Sequence, residues 1–292
     1  MTLKACVPWI TCLAACGGAS ETPAVDSTAA MQAGARIAVV EGLSGPEGVR
    51  YDPGQDVYFI SNFNGENSGD ANGFISRVQP DGTVDSLRFL TGTPQAPLHG
   101  PRGMFITGDT LWAADADGVH GWDRRTGTHL VFVDFRAHQP GFLNDVAQGP
   151  DGALYVTDTG RSRIYRVADG LATIAVEDDR LGSPNGITWD SAGARFVVAP
   201  WEGEQVFGWT PGGGLEPLGS AGVNRCDGVE MVAGGVLLAC QADSTLRVLK
   251  GGAARPVARL PGRPADIGVD TRRGRVAVPY VALNRVDIFP LP

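Results

Sequence analysis

Four oxygen-bearing side chains, Glu47, Asn144, Asn185 and Asp227, hold the same place in a short recurring motif. Each is followed by Gly or Asp and then by Val or Ile: Glu47-Gly48-Val49, Asn144-Asp145-Val146, Asn185-Gly186-Ile187 and Asp227-Gly228-Val229. Two further copies, Arg102-Gly103-Met104 and Ala265-Asp266-Ile267, put a cation and a methyl group in that place. Two carboxylates and two carboxamides drawn together need a counter-charge, because buried acids are strongly disfavoured until something offsets them. A mixed all-oxygen set of this kind suits a hard divalent cation, Ca²⁺ above all. No His or Cys shares the position, which argues against zinc.

Such a set is useful only if something brings it together. The leading residues stand at 47, 102, 144, 185, 227 and 265, so successive steps are 55, 42, 41, 42 and 38 residues. In every copy a short apolar strand, a turn and a second strand follow. A period near 40 with short strands is the signature of four-stranded propeller blades. The expected fold is an all-β, six-bladed β-propeller over residues 36–292. Residues 286–289 supply the last copy's third strand and leave no chain for a fourth. Residues 36–40 are expected to fill that gap by pairing the two ends of the domain, which also removes an exposed edge. A β-sandwich would give evenly spaced strands too, but no reason for a polar residue to return to one place. In a propeller the innermost strands all start at one end of the central channel, so their leading residues converge.

Composition agrees. Gly (41) and Pro (20) make up about a fifth of the 292 residues, which disfavours long helices. The 43% hydrophobic content is ample for a core. Lys plus Arg number 24 against 32 acids, net −8, with no basic run, so nucleic acid is excluded as an expected partner.

The motifs Gly45-Pro46-Glu47-Gly48-Val49, Leu143-Asn144-Asp145-Val146, Ser183-Pro184-Asn185-Gly186-Ile187 and Cys226-Asp227-Gly228-Val229 resemble those of the regucalcin/gluconolactonase family. Paraoxonases and diisopropylfluorophosphatase are similar at greater distance. The resemblance implies a divalent metal, often calcium, at the channel mouth and hydrolysis of lactones or related esters. It makes Glu47, Asn185 and Asp227 metal ligands, and Asn144 either a further ligand or the holder of a metal-bound water or substrate. Asp227 is then the expected acceptor of the water proton. Arg102 would either orient a substrate oxygen or pair with a neighbouring acid. The chain departs from the family at Phe142, where regucalcin-like members carry an Arg used on sugars, and at Arg102, where paraoxonases carry a His. Trp201 is expected to wall the substrate. His99, just before Arg102, is the one histidine singled out as a substrate contact. The long loop from Asn62 to Gly73 reads either as a lid or as a decoration. Glu41, Asp115, Asp117, Asp178 and Asp179 read as solvated charges or turn residues. The competing class is a non-catalytic, NHL-like propeller acting as a scaffold or binding module.

The N-terminus reads as an address. Lys4, an apolar run and Leu13-Ala14-Ala15-Cys16 resemble a bacterial lipoprotein signal, with 1–15 removed and Cys16 lipidated. The alternative is an ordinary signal with an incidental Cys. Gly17 after the Cys fits delivery to an outer membrane, facing the periplasm; without an outer membrane the same signal leaves the protein on the outer face of its only one. Residues 16–35, rich in small and polar residues, read as a flexible tether. Membrane contact is thus expected through the lipid alone, and the body is expected to act as a monomer. Cys226 and Cys240 flank a predicted hairpin near its open end, where they either bridge or remain two thiols.

Overall fold

Strands account for almost all regular structure in the computed structural model, which describes residues 35–66 and 69–292. The leader with Cys16, and the tether up to residue 34, lie outside the described residues. Among the described residues no helix is long and apolar enough to cross a membrane.

After a short β1 (Ala38–Val40), the chain repeats one antiparallel meander. The first holds β2 (Pro46–Asp52), β3 (Val57–Asn62), β4 (Phe74–Val78) and β5 (Val84–Thr91). The second holds β6 (Met104–Thr107), β7 (Thr110–Ala114), β8 (Gly118–Asp123) and β9 (His129–Asp134). The third holds β10 (Leu143–Gln148), β11 (Leu154–Asp158), β12 (Arg163–Ala168) and β13 (Leu171–Glu177). Next come β14 (Pro184–Asp190), β15 (Arg195–Pro200), β16 (Gln205–Trp209) and β17 (Leu215–Ser220). They are followed by β18 (Cys226–Val232), β19 (Gly235–Cys240), β20 (Thr245–Lys250) and β21 (Ala253–Arg259). These eight strands share one sheet, whose halves meet only at the parallel pair Ser220 and Ala253. The chain ends with β22 (Gly268–Asp270), β23 (Arg275–Tyr280) and β24 (Arg285–Pro290).

The last three strands are completed by β1, which runs antiparallel to β24 with Ala38 opposite Ile288. The two ends of the domain therefore share a sheet, as the missing fourth strand demanded. First strands neighbour one another in sequence order, β2 with β6, β6 with β10, β10 with β14 and β14 with β18, while β2 also meets β22. A parallel bridge between Gly48 and Asp266 joins the first motif to the last. The architecture is all-β and propeller-like.

Apolar clusters fill the spaces between successive meanders. Phe59, Leu111 and Trp122 pack between the first and second. Tyr155, Phe196 and Trp209 pack between the third and the one that follows, with Tyr155 and Phe196 ring centroids 4.7 Å apart. Each such buried aromatic stabilises by roughly 1.5–3 kcal/mol. Rigid wedges of this kind fix where each first strand begins, and with it the position of the motif residue.

Candidate metal centre

The ladder itself releases the motif residues. Pro46 pairs with Asn62, Leu143 with Asp158, Pro184 with Pro200, and Cys226 with Cys240. In all four copies the register then breaks, and pairing resumes only at Val49, Val146, Ile187 and Val229. A bulge of this kind frees two residues from the ladder and re-aims their side chains. The first of the two turns toward a common cavity. The second faces the neighbouring meander at close quarters: a Cβ at Gly48 would lie 2.8 Å from the Arg102 carbonyl oxygen, and one at Gly186 would overlap the Asp227 carbonyl oxygen. That is why Gly recurs there.

Glu47, Asn144, Asn185 and Asp227 line one cavity of about 300 Å³, together with Ala265 from the last motif. All four are only 2–4% exposed. Each presents one buried oxygen without a hydrogen-bond partner: Glu47 Oε2, Asn144 Oδ1, Asn185 Oδ1 and Asp227 Oδ1. In two of them the other polar atom is tied back. Asn144 Nδ2 donates to Thr159 Oγ1 at 3.1 Å, and Gln241 Nε2 donates to Asp227 Oδ2 at 2.8 Å. Orphaned buried oxygens are rare in folded proteins, and four on one cavity fit an oxygen-ligated cation.

The electrostatics agree. Burial, then the charge of Asp227, holds Glu47 well above the usual carboxylate range, while Arg102 works against the rise. Burial pushes Asp227 up to about 7, opposed by the Gln241 hydrogen bond and assisted by Asp145. Two carboxylates in this condition gain from any cation placed between them.

Residues 45–213, more than half of the chain, match the family described as SMP-30/gluconolactonase/LRE-like region. The chain belongs to this family. Among solved structures, a gluconolactonase from Xanthomonas campestris is similar at 18% identity and a TM-score of 0.67, over 88% of this chain and 92% of that one. A calcium-binding regucalcin from Agrobacterium tumefaciens is similar at 19% identity and a TM-score of 0.64, over 87% and 93%. A streptogramin B lyase shares the fold at 13% identity and a TM-score of 0.64, over 88% and 97%. No curated protein sequence matches the chain.

Within this SMP-30/gluconolactonase-like chain a second ring of residues completes the cavity. Phe63, Thr159, Trp201, Gln241 and Val281 stand 14 to 16 residues after the motif residue of their own copy, just past the second strand. Backbone hydrogen bonds lock four of them to the turn before the motif: Phe63 N to Gly45 O, Thr159 N to Phe142 O, Trp201 N to Ser183 O and Gln241 N to Arg225 O, at 2.8–3.0 Å. Of this ring only Trp201 is expected from the sequence. The signal for the others is their similar offset, 14 to 16 residues, from the motif.

Arg102 takes a different place from its counterparts. Its copy has no bulge, and β6 begins only at Met104. The side chain is buried, donates from Nη1 to Leu143 O at 3.0 Å and stacks 3.9 Å from the centre of the Phe142 ring. Phe142 lines the cavity and Arg102 does not. Its role here is electrostatic, since its charge reaches Glu47. His99 also stands outside the lining: its Nδ1 accepts a hydrogen bond from Ala71 N at 3.1 Å, which anchors the loop after Asn62. The expected substrate contacts from Arg102 and His99 are therefore not part of the cavity wall.

Asp145 replaces Gly in the bulge, and Asp266 takes the same motif position in the last copy, ahead of β22. Asp145 Oδ2 accepts from Ile187 N at 2.8 Å, so it ties β10 to β14 where other copies rely on close backbone approach. Burial pushes it up to about 7. Asp115 is no solvated charge. It is fully buried and accepts from His99 N and Gly100 N at 2.8 and 2.6 Å. It forms, with Asp117 and His120, a group of potential ligands. Yet Asp158 makes the equivalent bonds to Gly141 N and Phe142 N and meets Tyr165 where Asp115 meets His120, so this group reads as the repeat's own scaffold.

Cys226 and Cys240 face each other in register and form a disulfide. The bridge pins the strand immediately before Asp227.

Proposed function

We propose that this chain is a divalent-cation-dependent hydrolase of a lactone or related ester, built on a six-bladed ring. The observation that carries the reading is the convergence of four orphaned oxygens on one cavity. The six-blade count is supported by the two complete meanders within the eight-stranded sheet, which touch through a single residue pair. Family membership supports lactonase-type chemistry.

Glu47, Asn185, Asp227 and Asn144 would hold the ion, and the all-oxygen set favours calcium. When bound, a divalent cation supplies Lewis-acid polarisation of a carbonyl and charge stabilisation for its developing oxyanion. The chain's own residues do the rest. Gln241 fixes Asp227 through Oδ2, leaving Oδ1 turned to the cavity as the acceptor for a proton from the attacking water. Thr159 holds the Asn144 amide so that its oxygen points inward. Phe63, Phe142 and Trp201 limit access of bulk water. Arg102, stacked under Phe142, favours the ionised form of Glu47.

The leader and Cys16 support export and attachment to the bacterial cell envelope by lipid, and we place the enzyme there as a monomer. The test of function is a lactone and ester panel. Hydrolysis should vanish with a chelator and return with calcium. If the calcium-loaded protein cleaves nothing and Asp227→Ala alters only stability, the scaffold alternative is correct.

A further inference from the structure

We infer that the cavity selects a lactone or ester bearing an aryl or alkyl group, not a polyhydroxylated sugar lactone. This rests on the hydrolase reading above and names its substrate class.

The walls carry the argument. Besides the four oxygen-bearing residues, the lining consists of Phe63, Phe142, Trp201, Ala265 and Val281, with Thr159 and Gln241. Both polar members already spend hydrogen-bonding capacity within the protein. The Thr159 hydroxyl donates to Pro184 O at 2.8 Å and accepts from Asn144, and the Gln241 amide donates to Asp227. Among the described residues, those lining the cavity include no Lys, Arg or His. Arg102, which starts from a motif position that could have faced the cavity, is covered by the Phe142 ring and bonded to Leu143 O. The Phe142 backbone is fixed at the cavity edge, its N–H held by Asp158 Oδ1 at 2.8 Å and its carbonyl by Thr159 N, and its ring rests on the Arg102 guanidinium.

A sugar lactone brings several hydroxyls into this space. A hydroxyl that leaves water without a partner loses on the order of 1–3 kcal/mol. An aliphatic or aromatic substituent instead gains about 0.8 kcal/mol per buried methylene. Two unmatched hydroxyls are enough to set the order of preference, and the cavity volume accommodates a bicyclic aryl lactone in the lower range of ligand sites.

Binding separates this inference from the hydrolase reading. The probes are non-hydrolysable lactams, 3,4-dihydroquinolin-2-one as the aryl shape and gluconolactam as the polyol shape. Each is titrated by calorimetry into the purified calcium-loaded protein, and the parent lactones are assayed for turnover in parallel. The aryl lactam should bind at least tenfold more tightly, Trp201→Ala should reduce that ratio at least fivefold, and Trp201→Phe should keep it. Tighter binding of gluconolactam, or a ratio unmoved by Trp201→Ala, overturns the inference even if lactones are cleaved. An aryl preference without turnover of either parent lactone upholds the selectivity and removes the hydrolase reading.

Discussion

Replacing Asp227 by Asn should stabilise the metal-free protein at pH 8 and abolish its stabilisation by calcium. The carboxyl moves from an ordinary value of 3.8 to about 7 on folding, chiefly because it is buried. The folded state therefore holds a proton that the unfolded state releases between about pH 4 and 7. Metal-free stability must fall as pH rises through that window and level off above it. Three units correspond to about 4 kcal/mol as an upper bound, and protein relaxation brings a realistic figure to about 2–4 kcal/mol. Asp227→Asn removes this penalty, relieves Glu47 as well, and can keep the Gln241 hydrogen bond through the amide oxygen. At roughly 2–4 °C per kcal/mol, Tm in EDTA at pH 8 should rise by about 4–16 °C, with little change at pH 4. Calcium at a hundred times its Kd should add about 2.7 kcal/mol to the parent protein and almost nothing to the variant, so the order of stability narrows or reverses. Differential scanning calorimetry at both pH values, with EDTA or calcium, reads all of this. A variant destabilised equally at pH 4 and pH 8, or one that keeps the calcium shift, would refute the electrostatic reasoning.

Further outcomes follow from the packing. Gly186→Ala drives a methyl into the Asp227 carbonyl and against Val229, so it should lose about 1–3 kcal/mol in denaturant unfolding and weaken calcium binding. Gly234→Ala, where a Cβ meets nothing, should stay within about 0.5 kcal/mol and bind calcium normally. Reducing the Cys226–Cys240 bridge, which closes a separation of 14 residues, should lower stability by about 3 kcal/mol in unfolding measured with and without reductant. Because Asp227 follows Cys226 directly, calcium affinity should drop with it.

The repeat was readable because its physical cause is local. Gly48, Gly186 and Gly228 recur where the neighbouring meander leaves no room for a Cβ, and the polar residue before each is released by the same bulge. Strand positions and the closure by β1 follow from that period. What escaped is what depends on side-chain direction. Arg102 shares the motif position, yet its copy lacks the bulge and its long side chain folds beneath Phe142. His99 stands three residues before Arg102 but points to the loop backbone at Ala71. Asp115 resembles a turn acid in sequence, and only the fold shows two backbone N–H groups converging on it. Phe63, Thr159, Gln241 and Val281 differ in chemistry from copy to copy, so their shared offset is visible only once the second strands are placed.

Calcium titration by calorimetry at pH 8 addresses the four-oxygen centre most directly. One ion per chain should bind to the parent protein, with affinity reduced at least a hundredfold in Glu47→Gln and in Asp227→Asn and at least tenfold in Asn185→Ala. Binding that survives these substitutions unchanged, or no binding at all, would contradict the account.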